Sequence, residues 1–218
     1  MTPDPSLLRT EFLGLTVRHD EVDLPRDEVA AFFAAISERH GLTRMELHPE
    51  GGATFSGPDG GELVLKPGQT ASGGVVHLGL GEAQERVAVL LGEATQRFGV
   101  GPLWIDDVTV VASWDTERED GARHLVAEDL LRFDEERAAP VAGDDLSFGL
   151  RIWRRLGEGT VDVAIEPMHT EPSRIYIRLG YGQQDPVPDV ASLVACIEQL
   201  EEFLLGPVRE LVLAHARR

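Results

Sequence analysis

A stretch of sequence that returns one hundred residues later constrains this chain more than any other feature. Lys66-Pro67-Gly68-Gln69-Thr70, then Val75-Val76-His77-Leu78-Gly79-Leu80-Gly81, aligns with Glu166-Pro167-Met168-His169-Thr170, then Tyr176-Ile177-Arg178-Leu179-Gly180-Tyr181-Gly182. The offset is 100 residues and becomes 101 after one insertion. The flanks carry the match further. Gly57-Pro58-Asp59-Gly60 and Gly157-Glu158-Gly159 put a turn at the same offset, each before a strand that ends at Pro67 or Pro167. Ahead of each unit lies an apolar strand, Phe12 to Val17 or Leu103 to Val111, followed by a helix. Two copies of one β-α-β(3-4)-α unit are therefore expected, over residues 10–101 and 102–206. A flexible N-terminus over 1–9 precedes them and a helical extension over 207–218 follows.

Periodicity assigns the elements. Val29, Phe32, Phe33 and Ile36 recur at helical spacing, with Pro25, Asp27 and Glu28 at the start and Gly41 past the end. Val87, Leu90, Leu91, Ala94 and Phe98 predict a second helix closed by Gly99. Its counterpart runs from Asp189 through Leu193, Ile197 and Leu200 to Leu204, where Gly206-Pro207 is expected to break it. A less regular helix spans His124 to Phe133, and Phe133 to Ser147 reads as a mobile loop. Between helices the period is two: Phe148, Leu150 and Ile152, then Val161, Val163 and Ile165, then Ile175, Ile177 and Leu179 share one face of their strands. Short turns pair such strands antiparallel, so the expected α+β fold is a curved antiparallel sheet with helices on one face and the other bare. In element order this is similar to the saddle of the TATA-box-binding-protein-like folds, where two such units share one sheet. The likeness rests on order alone, without a shared motif, and implies an architecture and not DNA binding.

Composition then bounds function. The 218 residues, 42% hydrophobic, suffice for a real core. A formal net charge of -18 repels nucleic acid and anionic membrane over most of the surface and suits a basic protein partner. Lys66 is the only lysine, a bias without mechanistic weight. The single cysteine, Cys196, excludes an internal disulfide and reads as a core thiol. The first residues lack a signal peptide's basic and apolar regions, and no apolar run approaches 18 residues, so a cytoplasmic location without membrane contact is expected.

With the apolar positions facing the helices, Arg151, Trp153 and Arg155 lie on the bare face of one strand, and Arg174, Tyr176 and Arg178 on that of another. Arginine and large aromatics combine contact area with directed hydrogen bonds, and the guanidinium fits carboxylate or phosphate in a two-pronged way. The competing reading has Asp162 and Glu166, exposed on the intervening strand, pairing with these arginines, with a local cationic surplus left over. The matching positions of the first unit are Gly73, Val75 and His77.

Other signals are weaker. Gly79-Leu80-Gly81 and Gly180-Tyr181-Gly182 are expected between a strand and a helix as permissive turns, since the third glycine of a dinucleotide loop is absent. Glu46, His48 and Glu50 alternate and could reach one metal ion from one side of a strand; Glu166, His169 and Glu171 form a similar cluster at a turn. Asp106, Asp107 and Asp115 flank apolar strand residues and could make a paired-carboxylate site, but helix capping and strand-end solvation are the favoured reading. Trp104 and Trp114 read as packing residues. HExxH, GxSxG and Walker signatures are absent, and no cofactor is implied. The sequence thus favours a non-enzymatic binding or assembly protein, contacting a basic protein or a second copy of itself. An immunity-type role against a basic protein is one version. The rival is an enzyme or small-molecule binder holding an anionic ligand in the hollow of the sheet, and nucleic acid comes third.

Overall fold

The computed structural model describes residues 8–76, 80–116, 119, 121–132 and 148–216. Nine strands form one sheet: β1 (Leu8–Arg18), β2 (Arg44–Leu47), β3 (Ala53–Ser56), β4 (Glu62–Lys66), β5 (Gln69–Val75), β6 (Trp104–Asp115), β7 (Leu150–Leu156), β8 (Gly159–Pro167) and β9 (Arg174–Gly182). Their order is β2-β3-β4-β5-β1-β6-β9-β8-β7, with every neighbouring pair antiparallel. The helices are α1 (Arg26–His40), α2 (Leu80–Phe98), α3 (Gly121–His124, running into a π-helical turn Leu125–Leu130), α4 (Val190–Phe203) and α5 (Arg209–Ala216). The chain is thus mixed α+β with one large antiparallel sheet. No helix among the described residues is long and apolar enough to cross a membrane.

Side-chain alternation sets which face is covered. Leu13, Leu15 and Val17 of β1, Val108, Val110 and Ala112 of β6, Val161, Val163 and Ile165 of β8, and Ile175, Ile177 and Leu179 of β9 are all buried. They form the larger core together with Val87 and Leu91 of α2 and Leu193, Ile197 and Leu200 of α4. A smaller core joins Phe55, Leu63 and Leu65 of β3 and β4 to Val29, Phe32 and Ile36 of α1. Leu90 and Ala94, on the neighbouring stripe of α2, belong to this second core, so α2 spans both. Helix ends follow the sequence signals. Gly41 caps α1 in the left-handed conformation with φ 65°, and Asp189 accepts a 2.8 Å hydrogen bond from the Ser192 amide at the start of α4. That bond holds the Asp189 carboxyl below its ordinary range.

Several expectations need correction. Gly180-Tyr181-Gly182 is not a turn before a helix but the end of β9, and α4 begins only at Val190. Gly182 is paired with Thr160, and Tyr181 is buried against the position of Gly159, where a Cβ would come within 2.5 Å of the ring. Glycine here admits the tyrosine ring and not a phosphate. Pro207 does not end the last helix. It sits in a π-helical turn, Leu204–Val208, that joins α4 to α5, the wider turn accommodating a residue without an amide hydrogen. Leu8 and Arg9 belong to β1 instead of a flexible leader. The expected loop over Phe133 to Ser147, and His77 and Gly79, lie outside the described residues.

The two faces of the sheet should respond differently to truncation. Ile177 is fully buried, so Ile177→Ala is expected to cost about 2–5 kcal/mol in urea denaturation. Thr160→Ala, on the opposite face of β8, should stay within about 0.5 kcal/mol. Equal losses at both positions would contradict the sidedness described here.

Candidate functional site on the bare sheet face

The face turned away from the helices can be read along its registers. One row runs Arg151, Ala164, Arg178, Val111, Phe12 and Val75 across β7, β8, β9, β6, β1 and β5. The next runs Trp153, Asp162, Gly180, Thr109, Gly14 and Gly73, and reaches Glu62 of β4. Arg155 lies one step further along β7, opposite Thr160. Tyr176 stands between Glu166 and Ser113, and Arg174 opposite Asp115. The structure therefore places all six residues of the two Arg-aromatic-Arg stripes on one face. The stripes sit two strands apart, roughly 10 Å at normal strand spacing.

Their electrostatics differ from the sequence expectation. Arg151 grips Asp162 with two prongs, Nε to Oδ1 at 3.0 Å and Nη2 to Oδ2 at 2.6 Å, and this holds the Asp162 carboxyl below its ordinary range. The Arg151 guanidinium also lies 4.8 Å from the Trp153 ring centroid. Arg178 stands 3.9 Å from both Asp162 and Asp107. Arg174 reaches Glu11 at 3.7 Å and Glu171 at 3.4 Å. The expected local cationic surplus over the four arginines is thus corrected, because β1, β6 and the β8–β9 turn bring Glu11, Asp107 and Glu171 beside Asp162 and Glu166. Of those four, Arg155 alone has no ion pair among the described residues. Arg154 has no carboxylate partner there either; it points to the helix side of β7, its guanidinium 5.0 Å from the Phe203 ring centroid. The unbalanced positive charge therefore sits on the edge strand β7.

Sequence reasoning missed the centre of the face. Because Leu13, Leu15 and Val17 point inward, Phe12, Gly14 and Thr16 must point outward, a signal already present in the alternation. Gly14 and Gly73 stand opposite each other, and Phe12 lies across them: a Cβ on Gly14 would come 2.8 Å from Phe12 Cε1. At Gly73 a Cβ would meet the Leu13 carbonyl oxygen at 2.8 Å. Beside them is a trough of about 280 Å³ lined by Phe12, Gly14, Thr16, Glu62, Asp107 and Thr109 among others. The Thr109 hydroxyl donates to Asp107. The ionisable groups of this hollow are both carboxylates, which opposes an anion there.

The remaining candidates separate. β2 ends at Leu47, so Glu46, His48 and Glu50 do not share one side of a strand; His48 bonds to Thr54 Oγ1 through Nε2 at 2.9 Å. Glu166 lies on β8 while His169 and Glu171 belong to the turn after it, and no three such groups among the described residues converge on a metal-sized site. Asp106 is the extra residue of a β-bulge and faces Arg18 at 3.4 Å, apart from Asp107. Trp114 is buried in the core, as is Cys196, whose thiol is pushed up by burial. Burial likewise pushes the Tyr181 hydroxyl up to about 12. No protein-family model matches the chain, and comparison with curated proteins yields no match.

The Arg151–Asp162 pair makes a pH-dependent contribution whose sign is fixed. Asp162 titrates lower when folded than unfolded, so its stabilisation is complete above the unfolded value, about 3.9, and is lost as pH falls through the folded value. Asp162→Asn is expected to be less stable than the parent at pH 7 in denaturant titrations, with the gap closing in strong acid. A gap independent of pH would show that the carboxylate charge does not matter.

Proposed function

We propose that this chain is a binding or assembly protein whose bare sheet face contacts another protein. The observation that carries this reading is Trp153, 61% exposed on that face beside Arg151, which grips Asp162, and Arg155, which has no ion pair among the described residues. Phe12 and Val75, 37% and 48% exposed, extend the apolar contact toward the centre of the sheet. Exposed large apolar groups interleaved with arginine are what a protein interface uses, because the aromatic supplies area and the guanidinium supplies direction. The net charge of -18 supports a partner that is basic over most of its surface, and neutralisation of a basic protein is one form the role can take.

The same reading treats the chain as a tandem duplication with the saddle-like topology suggested by element order. Strand order supports this. Outward from the centre, β1-β5-β4-β3 on one side is matched by β6-β9-β8-β7 on the other. The aligned Lys66-Pro67 and Glu166-Pro167 segments fall at the corresponding β4–β5 and β8–β9 turns. The stripes then belong to the second copy alone, and the interface is asymmetric.

Crosslinking in native extract followed by recovery of the tagged chain tests the proposal. A protein partner should be recovered by the parent and lost, by about tenfold or more, in the Trp153→Ala, Arg155→Ala double variant. Recovery that ignores the double variant would move the interface elsewhere. A thermal shift produced by an anionic metabolite and abolished in Arg178→Ala would instead support a small-molecule role.

A further inference from the structure

We infer that β7 accepts an extended segment of a partner protein as a tenth strand, and that this segment alternates acidic with aliphatic residues. The inference deepens the protein-binding reading and rests on it, since it names the chemistry of what is bound. The first ground is the backbone. Among the described residues β7 pairs with β8 on one side only and no strand lies beyond it, so one row of amide and carbonyl groups along its seven residues has no strand partner there. Such a row is a template for strand addition. The opposite edge differs: β2 is four residues long and carries one arginine and one glutamate.

The second ground is charge. The arginines of the central strands are matched by carboxylates, whereas Arg154 and Arg155 on β7 have none among the described residues. On the bare face an added strand would run beside Arg151, Trp153 and Arg155. Carboxylates there would repeat, on the outer flank, the two-pronged contact that Asp162 makes with Arg151 on the inner one. On the helix face the neighbours are Leu150, Ile152 and Leu156, all partly buried and packed against the larger core, with Arg154 lying over the Phe203 ring between the last two. Aliphatic side chains would extend that core by one strand.

Charge also selects against a second copy. Two β7 strands paired antiparallel about Trp153 set Arg151 opposite Arg155, a like-charge pair at each end. Arginines on an edge guard against self-association, and the same charges define the partner that can replace it. The net charge of -18 does not prevent this, because charges more than about 8 Å away are largely screened at physiological ionic strength. A partner basic elsewhere and carrying one acidic-aliphatic strand would satisfy both fields.

The test uses the full chain and capped octapeptides alternating glutamate with valine or lysine with valine, read by calorimetry and by hydrogen exchange. The glutamate peptide should bind about tenfold or more tightly than the lysine peptide and slow exchange in residues 150–156. Arg155→Glu, at a residue with no ion pair among the described residues to lose, should weaken it about tenfold, while Arg97→Glu on α2 leaves it unchanged. Methylating alternate peptide amides should abolish binding. Equal affinity for both peptides, or no binding of the glutamate peptide near millimolar concentration, overturns the inference. Protection confined to residues 12–16 and 174–178 also overturns it, yet leaves the bare face as the protein-binding surface. Loss of crosslinked partner without any peptide effect would separate the two in the same way.

Discussion

Nine strands held in one antiparallel register mean that a residue's parity along its strand decides which side of the whole molecule it occupies. Because side chains alternate with a period of two, a slip of one residue in any strand would drive its arginines, aspartates or threonines into the helix layer. The aliphatic positions of β1, β6, β8 and β9 are in phase, and α2 and α4 cover them. This shared phase is the constraint on which the rest depends. Once it is fixed, Phe12, Trp153 and Tyr176 must lie on the side that no described helix covers.

The junction of β1 with β6 carries both register shifts found in that pair, at Glu11 and at Asp106. A bulge re-aims a side chain without losing the strand. Glu11 thereby accepts from Ser113 and approaches Arg174, while Asp106 faces Arg18. Glu11 thus balances Arg174 at the middle of the sheet, where Asp107 and Asp162 stand beside Arg178. The consequence is spatial: among the described residues, positive charge is compensated in the centre and uncompensated at the β7 edge. The central trough, with Glu62 and Asp107 on its walls, and the cationic edge therefore present opposite chemistry on one continuous surface.

Much of this was legible in the chain. The helical period of Val29, Phe32 and Ile36, with Pro25 near its start and Gly41 past its end, gives α1. The alternation of Val161, Val163, Ile165 and of Ile175, Ile177, Leu179 gives the inner face of β8 and β9. What stayed hidden depends on neighbours distant in sequence. Nothing local to Arg174 announces Glu11, 163 residues away, and nothing local to Arg178 announces Asp107 on β6. Local pattern therefore spreads the surplus charge over four arginines, although among the described residues it belongs to β7. Gly180 and Gly182 read as a turn for a related reason: glycine marks a turn or a close approach with the same letter, and only the Tyr181 ring against Gly159 tells which.

Hydroxyl-radical footprinting of the free chain tests the sidedness most directly, because it reports the solvent exposure of individual side chains in one experiment. Phe12, Trp153 and Tyr176 should be oxidised readily, while Phe55, Trp114 and Tyr181 stay protected until the chain unfolds. Trp153 and Tyr176 found as protected as Trp114 would contradict the account, since the face assigned to solvent would then be covered.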